Sequence, residues 1–105
     1  MFETIKNLFG AKSKTDFSQL VQNGAIIVDV RTKAEFESGH IAGAINIPVD
    51  QLAKNLNKLR DKSKPIITCC ASGMRSAAAK QFLISGGYAE VYNGGGWTNL
   101  QSKLR

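Results

Sequence analysis

Two stretches of this chain, "AIIVDV" (Ala25 to Val30) and "PIITCC" (Pro65 to Cys70), decide most of what it can become. Each is short, continuously apolar and rich in β-branched side chains, without the alternation that would leave one face to water. Runs of that kind form strands buried on both sides, the habit of parallel sheets covered by helices. Around them the apolar residues recur at helical spacing. Thr15 is expected to cap a helix from Asp16 to Gln22 that Asn23-Gly24 stops. Lys33 to Glu37 reads as a helical turn ended by Gly39, and "GAINIP" as a second short strand closed by Pro48. Val49, Leu52, Ala53, Leu56 and Leu59 predict a helix from Val49 to Leu59. Ser76 to Ser85 reads as another helix, "AEVYN" as a fourth strand, and "GGGWTNLQSKLR" as a glycine turn leading into a short terminal helix. Strands alternating with helices predict an α/β domain on a central, mainly parallel sheet of four to five strands.

At 105 residues the chain has room for one core. The domain is expected over residues 15–105, preceded by an amphipathic segment, residues 1–14. There Met1, Phe2, Ile5, Leu8 and Phe9 share one helical face, and packing on the domain is the expected use of that face. No apolar run approaches the ~18 residues of a membrane span, so stable membrane insertion is not expected. "MFETIKNLFG" makes a poor signal peptide, and the expected location is cytoplasmic. The net charge of +6 comes mainly from ten lysines. Its densest part, Lys54 to Lys64, reads first as a solvated surface and second as a docking surface for an acidic partner. No nucleic-acid motif accompanies the charge, so nucleic acid is not an expected partner.

The chemistry gathers at "CCASGMRS". Two adjacent cysteines staple no loop, so both are expected to be thiols. His40 is the one other good ligand for a metal, too few for a tetrahedral site, and no metal or other cofactor is expected. If "PIITC" is a strand and "SAAAKQFL" a helix, Cys70 to Arg75 is the loop between them at the carboxyl edge of the sheet, where α/β domains bind ligands. Such a loop turns successive N–H groups inward over a helix start, an anion cradle centred on the Cys70 sulfur. The cradle, with Arg75 nearby, is expected to hold the thiol below its reference pKa of about 8.5. Gly73 suits a position of positive φ, Ser72 and Ser76 offer hydroxyls, and Ser76 is a candidate helix cap. Met74 either lines the mouth or packs. Strand alternation sends Cys69 to the opposite side, into the core.

"CCASGMRS" resembles the active-site loop of rhodanese domains, in which a Cys, four residues, an Arg and a small residue wrap around a persulfide sulfur. "IIVDVRTKAEFESGHIAGAINIP" is similar to the other rhodanese signature, and "GGYAEVYNGGGW" to the family's closing strand and glycine turn. These stretches cover about Asp16 to Leu104. The resemblance implies a three-layer α/β/α domain. It also implies Cys70 as the sulfur-carrying nucleophile, Arg75 as its catalytic companion, and a persulfide-binding loop of Ala71, Ser72, Gly73, Met74 and Ser76. Asp29, Arg31, Glu35 and His40 match signature positions that support the loops. Here Trp97 follows Gly96 directly, a departure from the commoner spacing, so Trp97 either lines the pocket or covers the core.

The implied reaction moves a sulfane sulfur from a small anionic donor such as thiosulfate, through a persulfide on Cys70, to a thiol or cyanide. Double displacement of this kind needs no catalytic base once the thiolate is formed. One alternative is a module that carries persulfide to a protein acceptor, or binds a partner without turnover. A phosphatase or arsenate reductase is the other, disfavoured because such loops usually place five residues between Cys and Arg.

Overall fold

In the computed structural model, residues 15–104 are described; the expected amphipathic segment 1–14 lies outside them. Helix α1 (Phe17–Gln22) leads into β1 (Ile26–Asp29), α2 (Lys33–Ser38) and β2 (Ile45–Asn46). A 3₁₀ run, η1 (Val49–Leu59), precedes β3 (Ile66–Cys70), α3 (Met74–Ser85), β4 (Val91–Gly96) and α4 (Trp97–Ser102). The four strands form one parallel sheet in the order β2-β1-β3-β4. No described helix is long and apolar enough to cross a membrane.

Alternation along the strands builds two cores, one on each face of the sheet. Val28, Ile66 and Cys70 point to the side where Leu52 and Leu59 of η1 and Ala79 and Leu83 of α3 pack. Ile27, Ile67 and Cys69 point to the other, against Phe17 of α1 and Leu100 of α4. The chain leaves β1 toward β2 and leaves β3 toward β4, so the crevice between β1 and β3 is the point where the connections diverge. Cys70 ends β3 beside that crevice.

Four expectations of local structure are corrected. The cap of α1 is Asp16, not Thr15, because the Asp16 carboxylate accepts the Gln19 N–H at 3.0 Å. Val49–Leu59 has the expected extent but 3₁₀ geometry with a kink at Asn55. There the Asn55 side-chain amide donates to the Gln51 carbonyl at 2.8 Å, occupying the acceptor an α-helix would offer the Asn55 backbone N–H. The glycines after Asn93 continue β4 instead of turning. A Cβ on Gly94 would lie 2.9 Å from the Thr68 carbonyl and 2.8 Å from Leu100, so only glycine lets β4 close on β3 and α4 together. Finally, α3 begins at Met74 with Gly73 before it, which places Arg75 in the first helical turn and Ser76 past the cap position.

Candidate active site

The short loop Ala71 to Gly73 turns the chain from β3 into α3 around the Cys70 sulfur. Gly73 makes the turn possible, with φ at 106°, a left-handed conformation that a side chain would strain. In that conformation the Gly73 N–H donates to Cys70 Sγ at 3.0 Å. The Ser76 N–H, one of the donors a helix leaves unpaired in its first turn, reaches the same sulfur at 3.3 Å. The Ser72 N–H completes the set. Burial alone would push the Cys70 thiol up; the Ser76 hydroxyl and the N–H groups of Ser76, Gly73 and Ser72 outweigh it and hold the thiol below its ordinary value.

The Ser76 hydroxyl hydrogen has three acceptors in reach: Asn93 Oδ1 at 2.6 Å, the Gly73 carbonyl at 3.0 Å and the Cys70 sulfur at 3.4 Å. In the protonated site the thiol donates to Ser76 Oγ at 3.4 Å, and the hydroxyl hydrogen goes to Asn93 Oδ1 at 2.6 Å. When Cys70 is a thiolate the hydroxyl rotates onto the sulfur, and Asn93 Oδ1 still accepts the Gly95 N–H at 2.9 Å. Asn93 was missed in the sequence, although a polar residue in the last strand, just before three glycines, is a usable signal. Thr68 was missed as well: buried within an apolar strand, it donates to the Ser76 carbonyl at 2.9 Å and ties the helix start to β3.

The Arg75 guanidinium and a Cys70 thiolate favour one another through their charges. The guanidinium is bound by both oxygens of Glu35, at 2.8 and 3.1 Å, across the gap between α3 and α2. The leading causes that lower the thiol are the hydroxyl and N–H donors of Ser76, Gly73 and Ser72. Arg75 hydrogen bonding and the Thr32 N–H together hold the Glu35 carboxyl down at about 2. Glu35 also closes a capping box with Thr32 at the start of α2, so one carboxylate fastens two helix starts. Ala71, Ser72 and Met74 are exposed around the sulfur, Met74 most of all, with 80% of its surface open.

The remaining signature residues lie on the other side of β1. Asp29 and Arg31 form a buried bidentate pair, with the closest approach 2.7 Å. Arg31 also donates to the Glu35 and Gly39 carbonyls, and its guanidinium lies 4.8 Å above the Trp97 ring. Trp97 thus covers this ion pair and packs in the Phe17 core. His40 stacks on Phe36 and donates from Nδ1 to the Phe36 carbonyl at 2.7 Å, an arrangement that orients the ring within its own loop. Cys69 faces Asp29 across the β1–β3 pair, and burial, then the Asp29 charge, pushes its thiol up to about 12.

A thiol at the carboxyl edge of a parallel sheet, ringed by N–H donors at a helix start, defines a class of α/β domain that handles an anionic group on a cysteine. Within that class, the chain belongs to the rhodanese-like domain family, whose model matches residues 13–103. It is 42% identical over 82 residues to the protein YqhL of Bacillus subtilis, a match covering 77% of this chain and 64% of that relative. It is 34% identical over 74 residues to the thiosulfate sulfurtransferase PspE of Escherichia coli, covering 70% and 71%. A solved structure of a rhodanese with anions from E. coli superposes with a TM-score of 0.69 at 31% identity, over 72% of this chain and 91% of that one. The chain thus spans somewhat less than two thirds of YqhL.

Proposed function

We propose that the domain is a sulfurtransferase that carries a sulfane sulfur as a persulfide on Cys70. The observation that carries this reading is the convergence of the Gly73 and Ser76 N–H groups on Sγ, at 3.0 and 3.3 Å, in a site that lowers the thiol. The Cys70 thiolate attacks the outer sulfur of thiosulfate; the bond between the two thiosulfate sulfurs breaks, and sulfite leaves with its electron pair. A nucleophile, either a thiol or cyanide, then takes the outer sulfur and returns Cys70 to thiolate. Sulfite is a stable anion, so no acid is required, in keeping with a His40 ring committed to Phe36. The helix start has two further N–H groups, those of Met74 and Arg75, to receive the negative outer sulfur. Arg75, clamped by Glu35, keeps that turn in place.

A second reading, transfer to a protein acceptor, is favoured by the exposed Met74 at the lip of the ring and by Phe82 and Ile84 open on the same helix. Both readings pass through the same persulfide. Intact mass after incubation with thiosulfate, beside a Cys70→Ser variant, tests them together. The expected result is a gain of one sulfur atom in the parent alone, discharged by cyanide as thiocyanate. If neither thiosulfate nor a polysulfide adds that mass, the persulfide reading fails.

A further inference from the structure

Asn93 is exposed on β4, yet its side chain touches both residues whose N–H groups hold the Cys70 sulfur. Its Oδ1 accepts the Ser76 hydroxyl at 2.6 Å and the Gly95 N–H at 2.9 Å, and its Nδ2 donates to the Gly73 carbonyl at 3.4 Å. A backbone N–H can only donate, so the Gly95 contact fixes the amide with its oxygen toward Ser76. The strand register prepares this meeting. Asn93 pairs with Thr68, and the Thr68 hydroxyl donates to the Ser76 carbonyl at 2.9 Å, which ties the start of α3 to the strand beside β4.

The Ser76 hydroxyl has one hydrogen to give, and the sulfur is the most distant of its three acceptors. The Gly73 carbonyl already accepts the Ala77 N–H of the helix at 3.0 Å. Asn93 Oδ1, the nearest acceptor, is the main rival of the sulfur. A thiolate draws the hydrogen only by taking it from Asn93, so the bond that breaks offsets part of what the charged sulfur gains. Once Cys70 carries an outer sulfur, the negative charge lies one atom further out and the hydrogen returns to Asn93. A more acidic thiol is a weaker nucleophile and a better leaving group. Competition for one hydrogen therefore acts on the two halves of a sulfur transfer in opposite directions.

We propose that Asn93 is a positioning residue for Cys70: by holding the Ser76 hydroxyl against the pull of the sulfur, it keeps the thiolate basic enough to take up sulfur and limits how readily Cys70 is expelled again. The effect on the two half-reactions rests on the persulfide reading; the competition for the hydrogen does not. In loading, the Cys70 thiolate bonds to the outer sulfur of thiosulfate, and sulfite leaves with the electron pair of the broken bond. In discharge, cyanide bonds to that outer sulfur, and the electron pair of its bond to Cys70 returns to Cys70 as thiolate. Asn93 touches none of the reacting atoms and acts through Ser76. The described charged and titratable groups toward Cys70 are Arg75 of α3 with Glu35 of α2, and Cys69 of β3 with Asp29 of β1 and Arg31 beyond it. A substitution at position 93 leaves all of them in place.

The test follows the rate of Cys70 alkylation by iodoacetamide against pH in the full chain, in Asn93→Ala and Asn93→Asp, and in Ser76→Ala with and without Asn93→Ala. Cys69, buried and pushed up to about 12, stays out of the measurement. Asn93→Ala is expected to move the midpoint down by about half to one pH unit, the release of one competing hydrogen bond. Asn93→Asp should move it up by about one unit, because its carboxylate lies within about 6 Å of the sulfur by way of Ser76 Oγ. Without the Ser76 hydroxyl, Asn93→Ala should shift nothing. An unchanged or higher midpoint in Asn93→Ala, or the same downward shift in the Ser76→Ala background, overturns the inference. Rapid mixing then separates the half-reactions at a pH where both proteins are thiolates. Asn93→Ala is expected to load from thiosulfate about twofold more slowly and to be discharged by cyanide about twofold faster. Two rates that move together overturn the opposed effect. If the chain takes up no sulfur, the persulfide reading fails and takes the half-reactions with it, while the alkylation midpoints still decide whether Asn93 competes for the hydrogen.

Discussion

Cys69 and Cys70 are neighbours in one strand, both buried, and they live in opposite chemical worlds. Burial pushes both thiols up. For Cys70 a hydroxyl and three N–H groups reverse the push, because its strand end opens onto a helix start. For Cys69 the nearby Asp29 charge adds to it, with Arg31 opposing. A cysteine's reactivity is thus fixed less by how deeply it lies than by whether the groups around it accept or donate hydrogen bonds.

The sharpest way to break this comparison is to remove one thiol at a time. Cys70→Ala is expected to lower sulfur transfer by on the order of 10³-fold or more, to the background of the remaining surface, as steady-state turnover would show. On the Cys69 side, the large effect is on stability. Arg31→Ala leaves the Asp29 carboxylate buried without its partner and is expected to cost about 3–5 kcal/mol in urea unfolding. Ser76→Ala removes the leading donor to the thiolate. Transfer at neutral pH should fall about tenfold, and its pH profile, which rises as Cys70 ionises, should move to higher pH. The difference from the parent should vanish in alkaline solution, where both proteins are fully ionised. Cys69→Ala should leave turnover unchanged and cost about 1 kcal/mol, the loss of one small buried group.

The smallest expected effect concerns the clamp between α2 and α3. The Glu35 carboxyl titrates at about 2 in the folded protein against an ordinary 4.5. A depressed carboxylate contributes stability that is present above its unfolded pKa and lost as pH falls through the folded one. The parent's advantage over Glu35→Gln should therefore hold at neutral pH and disappear between pH 4.5 and about 2. Melting temperatures of the two proteins across that range would check it. An advantage that persisted below pH 2 would remove the ion pair as its cause.

The strands were legible because continuous β-branched runs have few other uses, and the parallel sheet followed from helices alternating with them. Cys70 and its loop were legible because Cys, Gly and Arg-Ser at a helix start form a constellation. What the sequence did not show were choices made by single hydrogen bonds across the fold. The helical pattern of Val49–Leu59 does not reveal that the Asn55 side chain takes the Gln51 carbonyl. The Arg in the loop does not reveal that Glu35, forty residues earlier, holds its guanidinium. Asn93 and Thr68 act on Ser76 only because β4 and α3 both meet β3 there.

The alternation that sends the two thiols to opposite faces of β3 also governs what an oxidant can do. Neighbouring residues of an extended strand do not bring their sulfurs together, and the chain has no third cysteine. A sulfenic acid formed on Cys70 consequently has no partner within this domain with which to close a disulfide. Only a thiol from outside returns it to the working state; where none arrives, the next step is the sulfinic acid, which is not ordinarily reversed. The same open access that a second substrate needs is then the route by which the site is rescued.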